Sequence, residues 1–215
     1  MKKLIFYDLD GTLVDTRRDI VEAVNHMMGA MSRRPLEPAA AESYVGRGLH
    51  YLISRCLETK DPKLIEKGSK IYRDYYVRHM LDHTQIYPGV REVLEHFKGR
   101  RQYVITNKPD PFASGMLKAL GIAAFFDTIV SGNGQYPQKP DPSAIHSLQK
   151  NQHCGLDEIL LIGDSTIDFE TGSNAGVETV LVGHGFMPVE DLKRHPAAVV
   201  RDFTELLRLA QTKSW

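Results

Sequence analysis

Cysteine is scarce in this chain of 215 residues, which contains only Cys56 and Cys154. Two cysteines are too few for a disulfide framework, and neither has a second Cys or a His at the short spacing of a zinc site. The composition therefore excludes a disulfide-rich secreted domain. It predicts a protein of a reducing compartment, with a cytoplasmic location.

Long apolar segments and an excess of charge of one sign are also missing. The apolar stretch near the N-terminus ends at Asp8, and others, such as residues 159–162, fall far short of the roughly 20 residues of a membrane span. Lys and Arg together number 27, as do Asp and Glu, so the formal net charge is zero. A neutral chain offers no electrostatic footprint for a phosphodiester backbone. We therefore expect neither a membrane nor a nucleic acid as partner.

Short apolar runs alternate with helical patterns along most of the chain. The runs are rich in β-branched residues, which is typical of buried parallel strands. Strands are predicted at residues 4–8, 103–106, 128–131, 159–163 and 179–182, and helices at 111–120, 142–152 and 168–175. This alternation predicts an α/β fold with a doubly wound parallel sheet. Ligands of such sheets bind beyond the carboxyl ends of the strands.

The interval from residue 15 to residue 87 interrupts this alternation, because it contains helical patterns and no convincing strand. Apolar residues repeat at helical spacing through residues 20–31, and Thr16 with Asp19 resembles a capping box. A second helix is predicted near residues 62–81. We therefore predict two domains: an α/β core of residues 1–14 and 88–215, and an inserted helical domain of residues 15–87.

Two carboxylates, Asp8 and Asp10, end the first predicted strand and are followed by Gly11 and Thr12. Side chains two residues apart in a strand begin on the same side, and neighbouring carboxylates repel unless a cation or a shared proton compensates. A divalent metal ion is the natural compensation, and oxygen ligands favour Mg²⁺. The alternative is a solvated turn after an edge strand, because Asp, Gly and Thr are common turn residues.

Further polar residues follow other predicted strands. Asp164 and Asp168 come after the strand at residues 159–163, where acids from two strands can converge on one cation. Asp164 is the stronger ligand candidate, while Asp168 either supports the metal or caps the next helix. Thr106 ends another strand, and Lys139 lies in a proline-rich loop. A hydroxyl and an ammonium group suit the binding of a phosphate.

Together these segments resemble the haloacid dehalogenase superfamily, whose signature is Asp-x-Asp-x-Thr, then Thr or Ser, then Lys, then an acidic pair. More narrowly, the chain is similar to the phosphoglycolate phosphatase group. The similar segments are Asp-Leu-Asp-Gly-Thr-Leu-Val-Asp at residues 8–15, Thr-Asn-Lys-Pro at 106–109, Lys-Pro at 139–140 and Gly-Asp-Ser at 163–165. The resemblance implies a Rossmann-like core with a helical cap of the C1 type between the first and second motifs.

The resemblance also implies roles for individual residues. Asp8 would be the nucleophile that forms an aspartyl-phosphate, and Asp10 would be the general acid and base. Mg²⁺ would be held by Asp8, the backbone carbonyl of Asp10 and Asp164, with Asp168 in support. The phosphoryl oxygens would be bound by Thr106, Lys139 and backbone N–H groups near Leu9, Asp10 and Asn107. Arg47, in a cap loop similar to that of the group, would pair with a carboxylate of the substrate.

The function that the resemblance implies is a Mg²⁺-dependent phosphatase of a small phosphorylated metabolite. The first expected substrate is 2-phosphoglycolate, followed by pyrophosphate or a sugar phosphate. A phosphosugar mutase of the same superfamily is the nearest enzymatic alternative. A noncatalytic phospho-accepting switch or binding protein is the alternative of a different class, against which the acid-base candidate Asp10 argues. We expect a monomer or a homodimer.

Overall fold

The structure, a computed structural model, describes residues 1–215. Eight strands are present: β1 (Leu4–Tyr7), β2 (Val14–Asp15), β3 (Gln85–Ile86), β4 (Arg101–Ile105), β5 (Thr128–Val130), β6 (Ile159–Gly163), β7 (Glu178–Val182) and β8 (Ala198–Val200). The α-helices are α1 (Arg17–Ala30), α2 (Pro38–Glu42), α3 (Leu49–Cys56), α4 (Pro62–His79), α5 (Val90–His96), α6 (Phe112–Ala119), α7 (Ser143–Gln152), α8 (Thr166–Ala175), α9 (Val189–Leu192) and α10 (Phe203–Thr212).

Six of the strands form one sheet in the order β5-β4-β1-β6-β7-β8, and every neighbouring pair is parallel. Alternate residues of β1 face opposite sides of this sheet, because side chains of a strand alternate. Ile5 and Tyr7 pack into a hydrophobic core with α5, α6 and α10, whereas Leu4 and Phe6 pack into a second core with α7 and α8. The fold is therefore the doubly wound α/β sheet that the sequence predicts.

The five predicted strands are confirmed, with ends that differ by at most two residues. In the core, the short edge strand β8 and the helices α5, α9 and α10 were not among the predicted elements. In the inserted segment, the helices α2 and α3 were not predicted. The helix α8 begins at Thr166, two residues before the predicted start. It begins there because the carboxylate of Asp168 accepts hydrogen bonds from the backbone N–H and the hydroxyl of Ser165, which lies just before the helix.

The inserted segment is helical and is bounded by a small antiparallel ribbon. Strand β2 pairs with β3 where the chain leaves and re-enters the core, so the expectation of no strand between residues 15 and 87 is wrong at these two places. Helix α1 packs against α4, and α3 packs against α4 as well. None of the helices combines the length and the apolar character that crossing a membrane requires.

The predicted capping box of Thr16 and Asp19 is wrong. The Thr16 hydroxyl makes no capping hydrogen bond and instead donates to the Asp10 carboxylate at 2.8 Å. The buried Asp19 carboxylate accepts from the backbone N–H groups of His83 and Thr84 at 2.8–3.1 Å. Thr16 therefore contacts a residue of the preceding loop, and Asp19 satisfies backbone groups more than 60 residues away, which a local pattern cannot show.

Candidate active site

The carboxyl ends of three adjacent strands bring the predicted residues together. Asp8 follows β1, Thr106 follows β4 and Asp164 follows β6. Tyr7 pairs with Ile162, so Asp8 lies level with Gly163, one residue before Asp164. The parallel register therefore places the two acidic segments side by side at one edge of the sheet.

A buried cluster of three carboxylates forms at this edge. Carboxylate oxygens of Asp8, Asp164 and Asp168 lie within 4.8 Å of one another. Lys139 is the cation of the cluster, with its Nζ 2.8 Å from Asp8 Oδ1 and 2.6 Å from Asp168 Oδ1. Burial lowers the pKa of Lys139, but the charges of Asp168 and Asp8 outweigh this effect and raise it above its ordinary value.

The carboxylates are not fully compensated by this lysine. Burial raises the pKa of Asp8 to about 7, and the neighbouring charge of Asp168 adds to the rise while Lys139 opposes it. Burial also raises the pKa of Asp164 well above its ordinary value, and repulsion from Asp168 and Asp8 contributes further. Three buried carboxylates against one ammonium group leave a site that a cation would stabilise.

Two carboxylates of the cluster, Asp164 and Asp168, are held in place by further contacts. The Thr12 hydroxyl donates to Asp164 Oδ1 and the backbone N–H of Phe186 donates to Asp164 Oδ2, both at 2.8 Å. Asp168 uses Oδ2 to cap α8 and Oδ1 to contact Lys139. Both uses of Asp168 that the sequence left open, capping and support of the cluster, are compatible with this geometry.

The donor set fits a hard divalent cation. All three side chains offer carboxylate oxygens, which Mg²⁺ prefers, and the group contains no thiol or imidazole that would favour a softer metal. The contacts from Thr12, Phe186 and Ser165 orient the ligands from outside the cluster, as the outer partners of metal ligands commonly do. The residues present are therefore suited to Mg²⁺.

Asp10 lies next to this cluster and has its own partners. Its Oδ1 accepts hydrogen bonds from the Thr16 hydroxyl and from Lys108 Nζ, both at 2.8 Å. Lys108 is buried and also donates to the Tyr76 hydroxyl at 2.8 Å. Sequence reasoning assigned no role to Lys108 or Tyr76. The position of Lys108 two residues after Thr106 was a usable signal, whereas Tyr76 lies on the distant helix α4.

The segment around Asn107 joins the core to the cap and to the lysine loop. The Asn107 amide nitrogen donates to the backbone carbonyls of Gly46 and Lys139, and its Oδ1 accepts from the backbone N–H of Lys139. Thr106 is buried, and its hydroxyl accepts from the backbone N–H of Lys108 at 3.1 Å. The Asn107 side chain is thus occupied by structural contacts, which leaves its backbone N–H as the group to consider for phosphate.

A small cavity of about 50 Å³ lies between the core and the cap, beside Asp8 and Asp10. Thr106, Asn107 and Lys108 line its core side. Its cap side is mainly apolar and aromatic, and consists of Ile20, Val45, Gly46, Gly48, Leu49, Leu52, Tyr72 and Tyr76. The cavity therefore connects the candidate nucleophile and acid to the inserted helices.

Arg47 is not part of this cavity. It is exposed, and its guanidinium group lies over the Tyr51 ring, 5.7 Å from the ring centroid. The two neighbouring glycines line the cavity, but the Arg47 side chain does not. The structure therefore brings together Asp8, Asp10, Thr106, Asn107, Lys139, Asp164 and Asp168, and leaves Arg47 apart from them.

A parallel α/β core with a helical insertion and a buried cluster of carboxylates at the strand ends defines an α/β protein with an inserted helical cap over a candidate metal site. The family model described as haloacid dehalogenase-like hydrolase matches residues 5–182, and the chain belongs to this family.

The chain is similar to proteins named phosphoglycolate phosphatase. That of Pseudomonas syringae pv. syringae (strain B728a) is 33% identical over 96% of this chain and 79% of the relative. That of Vibrio parahaemolyticus serotype O3:K6 is 32% identical over 96% of this chain and 95% of the relative. With the family, these relatives make the chain a phosphoric monoester hydrolase.

Solved structures agree with this fold over nearly the whole chain. A predicted phosphoglycolate phosphatase from Haemophilus somnus has a TM-score of 0.90 at 26% identity, covering 97% of this chain and 98% of that one. A hydrolase from Pseudomonas syringae has a TM-score of 0.83 at 26% identity, covering 99% of both chains. Core and cap of this chain therefore occur together in solved relatives.

Proposed function

We propose that this chain is a Mg²⁺-dependent phosphatase that hydrolyses a small phosphomonoester, with 2-phosphoglycolate as the favoured substrate. The observation that carries the proposal is the buried cluster of Asp8, Asp164 and Asp168, in which Lys139 contacts Asp8 and Asp168. The relatives named phosphoglycolate phosphatase, which match 96% of the chain at 32–33% identity, support the choice of substrate.

Asp8 is the proposed nucleophile. Lys139 engages Oδ1 of its carboxylate, which leaves Oδ2 to attack phosphorus. The new O–P bond forms as the ester P–O bond breaks, and Asp10 donates a proton to the departing alkoxide oxygen. An aspartyl-phosphate on Asp8 results, so that one difficult displacement becomes two easier ones.

Asp10 then acts in the opposite direction. It accepts a proton from a water molecule whose oxygen attacks phosphorus, and the bond between Asp8 and phosphorus breaks to release inorganic phosphate. The contacts from Thr16 and Lys108 to Oδ1 fix the Asp10 carboxylate beside the cavity. Because Thr16 lies directly before α1, its hydrogen bond links the proposed acid to the first helix of the cap.

The remaining residues of the cluster bind the metal and the phosphoryl group. Asp8, Asp164 and the backbone carbonyl of Asp10 would hold Mg²⁺, with Asp168 in support. When bound, Mg²⁺ offsets the charge of the phosphoryl group and orients it. Thr106, Lys139 and the backbone N–H of Asn107 would bind the phosphoryl oxygens, and the apolar cap side of the cavity would limit the access of bulk water to the site during the first displacement.

A panel of phosphorylated metabolites tests this function. The purified protein with Mg²⁺ should release inorganic phosphate from 2-phosphoglycolate faster than from sugar phosphates or pyrophosphate, and EDTA should stop the release. Asp8→Asn should abolish turnover with an unchanged circular dichroism spectrum, whereas Asp74→Asn, at an exposed position, should retain it. Absence of phosphate release from the entire panel would overturn the proposal. Conversion of a sugar phosphate into its isomer without release would replace it with the mutase function.

A further inference from the structure

We propose that Lys108 binds a carboxylate on the leaving group of the substrate and is thereby the specificity-determining residue of this site, an inference that rests on the proposed function. Lys108 is the only Lys, Arg or His among the residues that line the cavity. Arg47, the other cation considered for this role, is exposed and packs on Tyr51. An anionic group that enters the cavity therefore finds its counter-charge at Lys108.

The Lys108 ammonium group has a hydrogen-bond donor to spare. An ammonium group carries three N–H donors. Asp10 Oδ1 and the Tyr76 hydroxyl each lie 2.8 Å from Nζ, which accounts for two of them. The Tyr76 ring also faces Nζ, at 4.7 Å from the ring centroid. The third N–H is free for a ligand, and this buried lysine lines the cavity that the ligand would enter.

The position of Lys108 fixes where the anionic group must be on the substrate. Asp10 is the proposed proton donor to the ester oxygen, and Lys108 contacts the same carboxylate oxygen of Asp10 as Thr16 does. A carboxylate separated from the ester oxygen by one carbon atom, as in 2-phosphoglycolate, therefore falls within reach of Lys108. A charged group at the far end of a long chain does not.

The apolar part of the cavity lining disfavours the hydroxyl groups of a sugar. Ile20, Val45, Leu49, Leu52 and Phe112 offer no hydrogen-bond partner from their side chains. A polyol placed against them would lose its hydrogen bonds to water without replacement, which costs binding free energy. The small volume of about 50 Å³ adds to this selection. The cavity therefore fits a short leaving group with one carboxylate next to the ester.

Two substrates that differ only at this group test the inference. In 2-hydroxyethyl phosphate a CH₂OH group replaces the carboxylate of 2-phosphoglycolate. The wild-type kcat/KM for 2-phosphoglycolate should exceed that for 2-hydroxyethyl phosphate by at least about tenfold, the effect expected for one charge-assisted hydrogen bond. Equal kcat/KM values for the two substrates would overturn the inference and leave the proposed function standing. No phosphate release from these or any other phosphomonoester would overturn both.

Variants separate carboxylate binding from mere support of Asp10. If Lys108 only supports Asp10, Lys108→Met lowers kcat for both substrates alike and leaves the ratio of their kcat/KM values unchanged. If Lys108 also binds the carboxylate, Lys108→Met raises KM for 2-phosphoglycolate alone and brings the ratio close to one. Lys108→Arg, Arg47→Met and the control Lys118→Met, an exposed lysine of α6, should keep the ratio. A ratio preserved in Lys108→Met, or lost in Arg47→Met, contradicts the inference.

A measurement on the wild-type protein covers the case in which Lys108→Met does not fold. Glycolate, the product that retains the carboxylate, should inhibit phosphate release competitively at concentrations at which ethylene glycol has no effect. Equal inhibition by the two alcohols would show that the cavity does not recognise the carboxylate and would overturn the inference.

Discussion

At the scale of single residues, Asp164 depends on two glycines that leave room for its side chain. A Cβ atom at Gly11 or at Gly185 would collide with the Asp164 carboxylate. Gly11 also has a φ of +81°, which residues with a side chain rarely adopt. The segment that contains Gly185 also supplies the Phe186 backbone N–H to Asp164 Oδ2. The position of this candidate metal ligand is therefore set partly by the absence of side chains around it.

We expect Gly185→Ala to weaken Mg²⁺ binding, because the new methyl group displaces the Asp164 carboxylate. The concentration of Mg²⁺ at half-maximal activity should rise by roughly 10–100-fold, the range typical of a disturbed contact around a metal ligand. Gly29→Ala is the matched control, since a Cβ atom there has no neighbour within 4 Å. An unchanged Mg²⁺ requirement in Gly185→Ala would contradict this role of the glycine.

The sequence predicts the acidic residues of the site much better than their partners. Asp8 and Asp164 stand directly after apolar strands, and a parallel sheet brings such positions to one edge whatever the loops do. Lys108 and Tyr76 meet only because α4 packs over the core, and nothing in the local sequence marks this contact. Arg47 lies in a loop that resembles the cap loop of the group, and the sequence predicts that its side chain faces the substrate. In the structure, the neighbouring glycines of this loop line the cavity, while the Arg47 side chain lies on Tyr51.

At the scale of elements, the predictable parts are those with enough residues to show a period. The strand β6 is buried along its whole length, and its continuous apolar sequence predicts a buried strand. The ribbon of β2 and β3 has two residues in each strand, too few for an alternating pattern. Its pairing also joins the two ends of the inserted segment, a long-range contact that only the packed cap establishes.

Asp19 is the polar contact that joins the first helix of the cap to its last segment. It lies on α1 and accepts hydrogen bonds from the backbone N–H groups of His83 and Thr84, which follow α4 and precede β3. The side chain is buried, and so is Thr84, whose backbone N–H loses its acceptor when the side chain is removed. The cap thus depends on a carboxylate whose spacing in the sequence resembles a local helix cap.

We expect Asp19→Ala to destabilise the protein by about 1–3 kcal/mol, because two backbone N–H groups lose their acceptor in the cap. The free energy of unfolding from urea denaturation measures the effect. Asp74→Ala is the control, since Asp74 forms an exposed ion pair with Lys70 on α4 and its loss should change stability little. Equal unfolding free energies for the two variants would remove Asp19 from its role in joining the cap.

At the scale of the whole molecule, a neutral composition conceals an uneven distribution of charge. Acidic and basic residues are equal in number, 27 each, yet three carboxylates lie together inside the core, where one lysine contacts two of them. The balance excludes an extended polyanion as partner but says nothing about a single phosphate group. The folded protein gathers these acids and removes them from water, and this arrangement has a cost that depends on pH.

We expect Asp8 to make the metal-free protein less stable as the pH rises. The unfolded chain loses the Asp8 proton near pH 3.8, whereas the folded protein keeps it until about pH 7. In this window the folded state binds more protons, so the free energy of unfolding falls with rising pH. The Asp8 contribution is therefore largest at low pH and is lost as the pH passes through about 7. Asp8→Asn carries no such proton and escapes this loss.

Thermal unfolding in EDTA at several pH values between 5 and 8 tests this expectation. The Tm of Asp8→Asn minus that of the wild type should grow by several degrees across this range, because the shift is on the order of 1–4 kcal/mol. Asp74→Asn, in which the lost carboxyl has a lowered pKa and is ionised throughout the range, should show no such growth. Added Mg²⁺ should raise the wild-type Tm most at pH 8, because protons no longer compete for its ligands. A difference between Asp8→Asn and wild type that stays constant from pH 5 to 8 would mean that Asp8 is ionised in the folded protein throughout.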